Sequence, residues 1–296
     1  MEKYIAGFTS MTNRSNLHGR VLEYLITEEI IKMNSIVKLT EKAKEYQNRE
    51  SKKLAELDSS RLLNMKTAAS AVLYEWLEPK FELSKKTSIT LDRLPDQNKS
   101  DVTDICLKLE ALKLNLSIKH NHTALKHQRP NTTPLHCGYA EDGLEMQQFT
   151  QEYKAITQKF RENIGEEKCF AELSADSRLQ HLYTPVCNLV SKFINQCDST
   201  HVSNFFNYLV GGLDYYKVVV YTKAKTLSIQ HFEQIQPPTM VEATVTKQYV
   251  NLNFNNQWKI SMRLHTASKK LKESPSLKFD TQALKKPISD TIIHYA

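Results

Sequence analysis

The sequence predicts an α/β protein in which a mixed β-sheet is flanked by helices and preceded by a helical N-terminal section. Three observations support this prediction. Helical periodicity dominates before residue 84, a run of β-branched and aromatic residues spans Tyr215 to Tyr221, and alternating apolar and polar residues follow it. The chain has 296 residues, of which 40% are hydrophobic, and this is enough to bury a core. We expect three sections, 1–99, 100–235 and 236–296, or one domain that contains all three.

The first section is predicted to be helical from about His18 to Leu83. Apolar residues recur on one helical face at Val21, Leu22, Leu25, Ile26 and Ile30. A charged stretch follows from Glu41 to Glu56, and a further helix is predicted from Ser59 to Leu77. That helix should stop near Pro79, because proline cannot continue the backbone hydrogen-bond ladder.

The rest of the chain alternates between helical and strand patterns. Two β-like runs, TSITLDRL and DICLKLEALKLNLSIK, come first. The remaining predicted elements are a loop at 129–134, helices at 145–163 and 182–210, a buried strand at 215–221, and antiparallel strands at 241–254 and 258–264.

Composition narrows the class of protein. The chain carries 40 Lys and Arg against 33 Asp and Glu, a formal charge of +7, which favours a polyanionic partner. Seven glycines form neither a GxGxxG nor a GxxxxGK[ST] loop, so we expect no nucleotide cofactor. Five cysteines without a CxxC pair suggest neither a disulfide framework nor a zinc ribbon. The chain shows neither a secretion signal nor an apolar run long enough to span a bilayer, so we expect a soluble cytoplasmic protein without a membrane partner.

The segment from Asp104 to Lys119 reads as a two-stranded hairpin with one apolar face. A register that pairs Leu109 with Leu114 gathers the apolar residues on that face, and continuing it places Asp104 opposite Lys119. Directly opposed residues have Cβ atoms about 4.5–5.5 Å apart. We therefore expect the carboxylate and the ammonium to converge, although an ordinary cross-strand ion pair would have the same spacing.

An acid before one strand and a lysine at the end of the next suit phosphodiester hydrolysis. A carboxylate is a hard oxygen ligand for Mg²⁺, and a lysine can position water and stabilise charge on a phosphoryl group. The arrangement resembles the core of the PD-(D/E)xK nucleases, but Ser117 stands two residues before Lys119, where an acid is expected. Glu23 is the first candidate for the missing acid and Asp101 the second.

Longer strings add a second resemblance. The run SIKHNHTALKHQRP, from Ser117 to Pro130, resembles the signature at and after the catalytic strand of HaeIII-type restriction endonucleases. Other patches follow that family's order: GRVLEY at 19–24, LEP at 77–79, SDVTDI at 100–105, QWKISMRLHTAS at 257–268 and SLKFD at 276–280.

The resemblance implies a PD-(D/E)xK-type fold and Mg²⁺-dependent cleavage of double-stranded DNA at GGCC, between G and C. It implies that Asp104 binds metal, that Lys119 is the catalytic lysine, and that Glu23 belongs to the early motif. Residues 100–235 would then hold the nuclease core and 236–296 a DNA-contacting section. A palindromic site also implies a homodimer within a restriction-modification system, whose cognate methyltransferase acts on the same site without having to bind this chain.

Basic and polar residues after the catalytic strand and near the C terminus are candidates for DNA contacts. The candidates are Asn121, His122, Lys126, His127, Arg129, Arg263, His265 and Lys278. The contiguous letters HNH at 120–122 do not match the dispersed motif of ββα-metal nucleases, and the spacing of the nearby histidines is irregular for zinc. A solvated basic loop remains the alternative for each of these residues singly.

Two other function classes remain open. A DNA-binding protein that keeps the nuclease fold without its chemistry would explain Ser117. A helical scaffold protein would show no salt-sensitive affinity for DNA.

Overall fold

The structure is a computed structural model of the 296-residue chain. It describes residues 11–94, 102–165, 169–233, 235–268, 270–272 and 274–296, with side chains from residue 17 onward. In this part of the chain, no helix combines the length and the apolar character that a bilayer-spanning helix needs.

Helices form in every region where the sequence predicts them, and two short helices form elsewhere. They are α1 (Met11–Met33), α2 (Glu41–Ser51), α3 (Ser59–Ala71), α4 (Glu78–Phe81), α5 (Thr133–His136), α6 (Leu144–Ile164), α7 (Ala175–Arg178), α8 (Thr184–Asn195) and α9 (Ser199–Val210). The strands are β1 (Val37–Leu39), β2 (Ile89–Arg93), β3 (Ile105–Leu109), β4 (Leu112–His120), β5 (His127–Gln128), β6 (Tyr215–Tyr221), β7 (Thr226–Phe232), β8 (Val241–Thr246), β9 (Tyr249–Phe254), β10 (Lys259–Thr266), β11 (Leu277–Lys285) and β12 (Asp290–His294).

The chain forms two compact units that are interleaved along the sequence. The first comprises Met1–Thr123, Leu213–Gln234 and Ile288–Ala296, and the second comprises Ala124–Gly212 and Ile235–Pro287. The three consecutive sections expected from the sequence divide the chain at other positions.

The first unit is built on a seven-stranded sheet with the order β1-β2-β3-β4-β6-β7-β12. The β1–β2 and β4–β6 pairs are parallel and the other pairs are antiparallel, so the sheet is mixed. Helix α1 packs against β4 and α3 packs against α1, and a single apolar cluster that includes Leu22, Ile26, Leu107 and Leu116 joins them to the sheet. This arrangement confirms the predicted helical N-terminal section and the mixed sheet.

The second unit is built on a five-stranded antiparallel sheet with the order β5-β11-β10-β9-β8. Helix α8 packs against β8 and β9, and α6 packs against α8. The alternation of apolar and polar residues in this sheet leaves Ile260, Met262 and Leu264 of β10 fully buried. The antiparallel pairing predicted for the C-terminal strands is confirmed.

Three boundaries differ from the prediction. The helix that begins at Ser59 does not stop before Pro79 but continues to Phe81, because a π-helical turn at 72–77 precedes the proline and redirects the hydrogen bonds. The predicted loop at 129–134 contains a 3-10 turn and the start of α5. The helical stretch predicted at 182–210 is broken in two, and Asp198 caps the second helix by accepting from the His201 N–H.

Candidate active site

The hairpin of β3 and β4 forms as predicted, but its register is shifted by two residues. Leu109 pairs with Leu112 instead of Leu114, and Ile105 pairs with Leu116 instead of Ile118. A shift of two keeps every side chain on its predicted face, so the apolar pattern could not distinguish the two registers. The turn is closed by Glu110, which has a φ of 49°.

Continued past Ile105, the observed register places Asp104 opposite Ser117 instead of the predicted Lys119, yet the two charged side chains still meet. Asp104 precedes β3, and Lys119 lies two residues beyond Ser117 on the same face of β4. The Lys119 Nζ lies 3.6 Å from Asp104 Oδ2. The same carboxylate oxygen accepts a 2.6 Å hydrogen bond from the Ile118 backbone N–H and a longer one, 3.4 Å, from the Ser117 hydroxyl.

Burial increases the electrostatic effect of this pair. Asp104 is only 7% exposed, and Ser117 is almost fully buried. A carboxylate that accepts a backbone N–H and faces an ammonium forms charge-assisted hydrogen bonds, which are stronger than neutral ones. The site therefore holds a fixed negative charge beside a positive one at the end of two central strands.

A second lysine, which is buried, adjoins this position. Lys217 of β6 is paired with Ser117 in the parallel register, and it is only 3% exposed. Its Nζ donates to the Thr123 carbonyl at 2.5 Å. The sequence analysis did not select Lys217 because it stands inside the apolar run YYKVVVY, although a lysine inside a buried strand is itself unusual.

Glu23 forms an ion pair with Arg93. The Arg93 Nη2 lies 2.6 Å from Glu23 Oε2, and its Nη1 donates to Gln47 Oε1 at 2.7 Å. Arg93 is 1% exposed and pairs with Ile105 of β3, so it shares the face of the sheet that α1 covers. Ser117 and Lys119 alternate onto the other face. Arg93 was also missed, although ITLDR places it in phase with two apolar residues.

A metal centre formed wholly by side chains is not evident in the described residues. Among them, no group of three or more His, Cys, Asp and Glu side chains is arranged to hold a metal ion. Asp101, the second candidate acid, lies outside the described residues. The donor chemistry nevertheless fits a hard cation, because Mg²⁺ is commonly held by one or two carboxylates together with water and substrate phosphates. Asp104 supplies such an oxygen.

Polar residues surround the end of β4 within the first unit. His18 of α1 packs edge-on against His120, with ring centroids 5.3 Å apart. Asn121 has a φ of 58°, and its side-chain oxygen accepts from the Thr222 N–H at 3.2 Å. Asn121 therefore closes the end of β4. Its contact with DNA stays a prediction. Burial lowers the pKa of His120 to about 4, and the positive charges of His18, His122 and Arg61 act in the same direction.

Six of the predicted DNA-contacting residues lie in the second unit. The Lys126 ammonium lies 4.3 Å from the centroid of the Tyr208 ring, and Arg129 Nη1 lies 3.4 Å from the Ser276 hydroxyl. The other four are gathered on one face of the five-stranded sheet, at the neighbouring strands β5, β10 and β11. These four are His127, Arg263, His265 and Lys278.

Comparison with known proteins identifies the family. A family model described as HaeIII restriction endonuclease matches residues 19–247. The chain belongs to the HaeIII restriction endonuclease family. The Type II restriction enzyme HaeIII of Haemophilus aegyptius is 24% identical to this HaeIII-family chain over 324 residues, which cover 94% of this chain and 96% of the relative. The comparison with solved structures gave no match.

Membership in the HaeIII family gives the hairpin a chemical context. The matched range contains Glu23, Asp104 and Lys119, whereas Arg263, His265 and Lys278 lie beyond its end. A restriction endonuclease acts on double-stranded DNA, so this HaeIII-family chain is an enzyme whose site must accommodate a phosphodiester.

Proposed function

We propose that this chain is a Type II restriction endonuclease that hydrolyses double-stranded DNA at a short palindromic site, GGCC cut between G and C, with Mg²⁺ as cofactor. The observation that carries the proposal is the 3.6 Å approach of the Lys119 ammonium to the Asp104 carboxylate. The pair occurs in a chain of the HaeIII restriction endonuclease family. The GGCC site and the metal come from the resemblance described above.

The two side chains divide the chemistry between them. Lys119 donates to the phosphate group and stabilises the negative charge that develops on its oxygens during hydrolysis. Its position near Asp104 limits the rotation of the Lys119 side chain. The small exposed fraction of the Asp104 carboxylate favours electrostatic interactions at this point, because water screens them less.

Asp104 would hold the Mg²⁺ ion, and Glu23 and Asp101 remain the candidates for a second carboxylate. A divalent cation supplies Lewis-acid polarisation of the phosphate and lowers the pKa of a bound water. For Glu23 to serve as a ligand, its carboxylate would have to share its charge between the metal and Arg93, from which it lies 2.6 Å. The Ser117 hydroxyl occupies the position of the acid in the related nuclease motif and offers an oxygen in its place.

Basic and polar residues that follow the catalytic strand in the sequence would bind the DNA backbone. Asn121 and His122 directly follow the catalytic strand, and Lys126, His127 and Arg129 continue the same segment. The formal charge of +7 favours duplex DNA through release of counterions. We also propose a cytoplasmic location and a homodimer, because two copies related by a two-fold axis match a palindromic site.

One observation favours a second candidate function. Ser117 stands where a metal-binding acid is expected, which is compatible with a DNA-binding protein that has lost catalysis. Such a protein would bind duplex DNA with the same salt dependence but would leave it intact with every divalent metal.

Digestion of a plasmid of known sequence tests the proposal. We expect discrete fragments with Mg²⁺, none with EDTA, and ends that map between G and C of GGCC when the products are sequenced. Fragments whose ends fall elsewhere would refute the specificity but keep the nuclease. Salt-sensitive binding without cleavage under any divalent metal would support the second candidate.

A further inference from the structure

The polar face of the five-stranded sheet holds a cross-strand pair of opposite charge. Arg263 of β10 is paired directly with Asp280 of β11. Directly opposed residues have Cβ atoms about 4.5–5.5 Å apart, so the guanidinium and the carboxylate leave the sheet side by side.

Packing on the other face fixes the direction of both side chains. The neighbours of Arg263, Met262 and Leu264, are fully buried, as is Phe279 next to Asp280. Because side chains alternate along a strand, Arg263 and Asp280 must point to the polar face. A shift of one residue in either strand would expose this core and is therefore disfavoured.

The surroundings of the pair are basic. Lys278 and His265 are paired next to it, and His127 Nδ1 lies 3.7 Å from Asp280 Oδ1. Burial lowers the pKa of both His127 and His265, and the positive charge of Lys278 acts in the same direction. This face suits a polyanion, yet it includes a carboxylate that a phosphate would repel.

Both members of the pair keep hydrogen-bonding capacity. Arg263 is exposed, and within the described residues its guanidinium forms neither an ion pair nor a hydrogen bond. The Asp280 side chain is 34% exposed, and its contacts to His127 and to the Gln282 amide, at 3.4 Å, are long. The guanidinium can donate two parallel hydrogen bonds, and the adjacent carboxylate can accept one.

We propose that Arg263 and Asp280 together read one G·C base pair in the major groove of the substrate. Arg263 donates to guanine O6 and N7, and Asp280 accepts from the N4 amino group of the paired cytosine. The inference rests on the proposed function, because it assigns a role in recognition of that enzyme's DNA site.

The order of groups along the base-pair edge selects G·C over the alternatives. Read from the purine, a G·C pair presents two acceptors followed by a donor, whereas an A·T pair presents an acceptor, a donor and an acceptor. A two-donor guanidinium beside a carboxylate matches only the first sequence. A face that contacted only phosphates would give the Asp280 carboxylate no role. In this arrangement the carboxylate accepts from the cytosine amino group.

Competition cleavage with base analogues tests the proposal. The duplexes contain the cleavage site that is identified by sequencing the ends of the plasmid fragments. The probes are duplexes with 7-deazaguanine, which lacks N7, or 2-pyrimidinone, which lacks the cytosine amino group, at one position at a time. At one base pair, we expect the wild-type enzyme to prefer the natural duplex by about 5- to 150-fold in kcat/KM over each analogue. Arg263→Ala should lose the preference at the guanine, and Asp280→Asn should lose it at the cytosine of the same pair.

Two further variants separate base reading from general effects. Arg263→Lys keeps the charge but not the fork of donors, so it should also lose the 7-deazaguanine preference. Lys259→Ala, on the same strand and face, should keep both preferences. The base-pair assignment would be overturned if the variants lost the same factor in kcat/KM on natural and analogue duplexes. It would also be overturned if Arg263→Ala and Asp280→Asn kept the wild-type preferences. Neither result would contradict the proposed nuclease activity. A wild-type chain that cleaves no duplex would overturn both.

Discussion

A single buried guanidinium, that of Arg93, links the N-terminal helix α1 to the strands that carry the proposed active site. It is bound by Glu23 at 2.6 Å and by Gln47 at 2.7 Å. The residue that follows it, Leu94, donates its N–H to the Asp104 carbonyl at 3.1 Å. The charge pair therefore stabilises the backbone next to the metal-binding candidate.

Replacing Glu23 should destabilise the fold as well as affect activity. Glu23→Ala would leave the Arg93 charge buried with one partner fewer, and loss of one member of a buried ion pair costs about 3–5 kcal/mol. We expect a fall in the free energy of unfolding near the lower end of this range, measured by urea denaturation. Glu29→Ala is the control, because Glu29 lies on the same helix and pairs with the exposed Lys32. An unchanged stability of Glu23→Ala would contradict the structural role.

His120 should make stability depend on pH. Burial holds its pKa at about 4, whereas the unfolded chain titrates near 6.5. Between these values the unfolded state binds more protons, so the free energy of unfolding should fall as the pH is lowered from about 6.5 to about 4. For a ring that is partly exposed we expect a loss on the order of 1 kcal/mol. Urea denaturation of wild type and His120→Gln at pH 7 and pH 4.5 measures it, and equal losses in both proteins would refute this contribution.

The residues of the proposed site were only partly predictable from the sequence. Asp104 and Lys119 follow from strand alternation, which survives a register error of two. The partner of Glu23 could not be predicted, because Arg93 lies 70 positions away and only packing brings them together. The position of Lys217 beside Ser117 depends on a parallel pairing between strands that are distant in sequence.

The helices and strands themselves were predictable where periodicity is strong and less so at their ends. The strand Tyr215–Tyr221 forms within its predicted limits, because β-branched and aromatic residues occur without interruption. Pro79 does not end its helix, because the π-helical turn at 72–77 replaces the usual α-helical hydrogen bonds before the proline. The residues of the turn set the register of the β3–β4 hairpin, and the apolar pattern of the two strands could not predict it.

The conformation of the turn between β8 and β9 can be tested by its effect on stability. Lys247 adopts a φ of 56°, a left-handed conformation that costs a residue with a side chain about 1 kcal/mol. Lys247→Gly should therefore raise the free energy of unfolding by about 0.5–1 kcal/mol, measured by thermal denaturation. Lys259→Gly, at the first residue of the extended strand β10, should lower it. A destabilised Lys247→Gly would contradict the assigned turn.

At the scale of the whole molecule, the two units are interleaved, and this could not be predicted from composition. The segment 124–212 and the segment 235–287 form one unit although 22 residues of the other, Leu213–Gln234, separate them. Gly211 and Gly212 end one segment and Pro287 another, but prolines such as Pro134 also stand inside a unit, so these residues do not mark the crossings. The pairing of β5 with β11 shows that residues 127 and 128 belong with the C-terminal sheet.

The proposed homodimer can be measured directly. Light scattering of the purified chain, alone and with a duplex that contains the cleavage site, should give the mass of two chains plus one duplex for the DNA complex. A monomer in both samples would contradict the two-fold arrangement and would require two successive binding events for a double-strand cut.

Single-turnover cleavage of a site-containing duplex by Lys119→Ala and Asp104→Asn, with binding measured in parallel, tests the central claim most directly. Removing a group that stabilises the transition state lowers the rate by about 100- to 1000-fold. We predict a loss of at least about 100-fold for both variants, with duplex affinity largely kept. Lys113→Ala, on the same face of β4 but exposed near the turn, should cleave like wild type. Cleavage by Lys119→Ala at the wild-type rate would contradict the assignment of this pair as the active site.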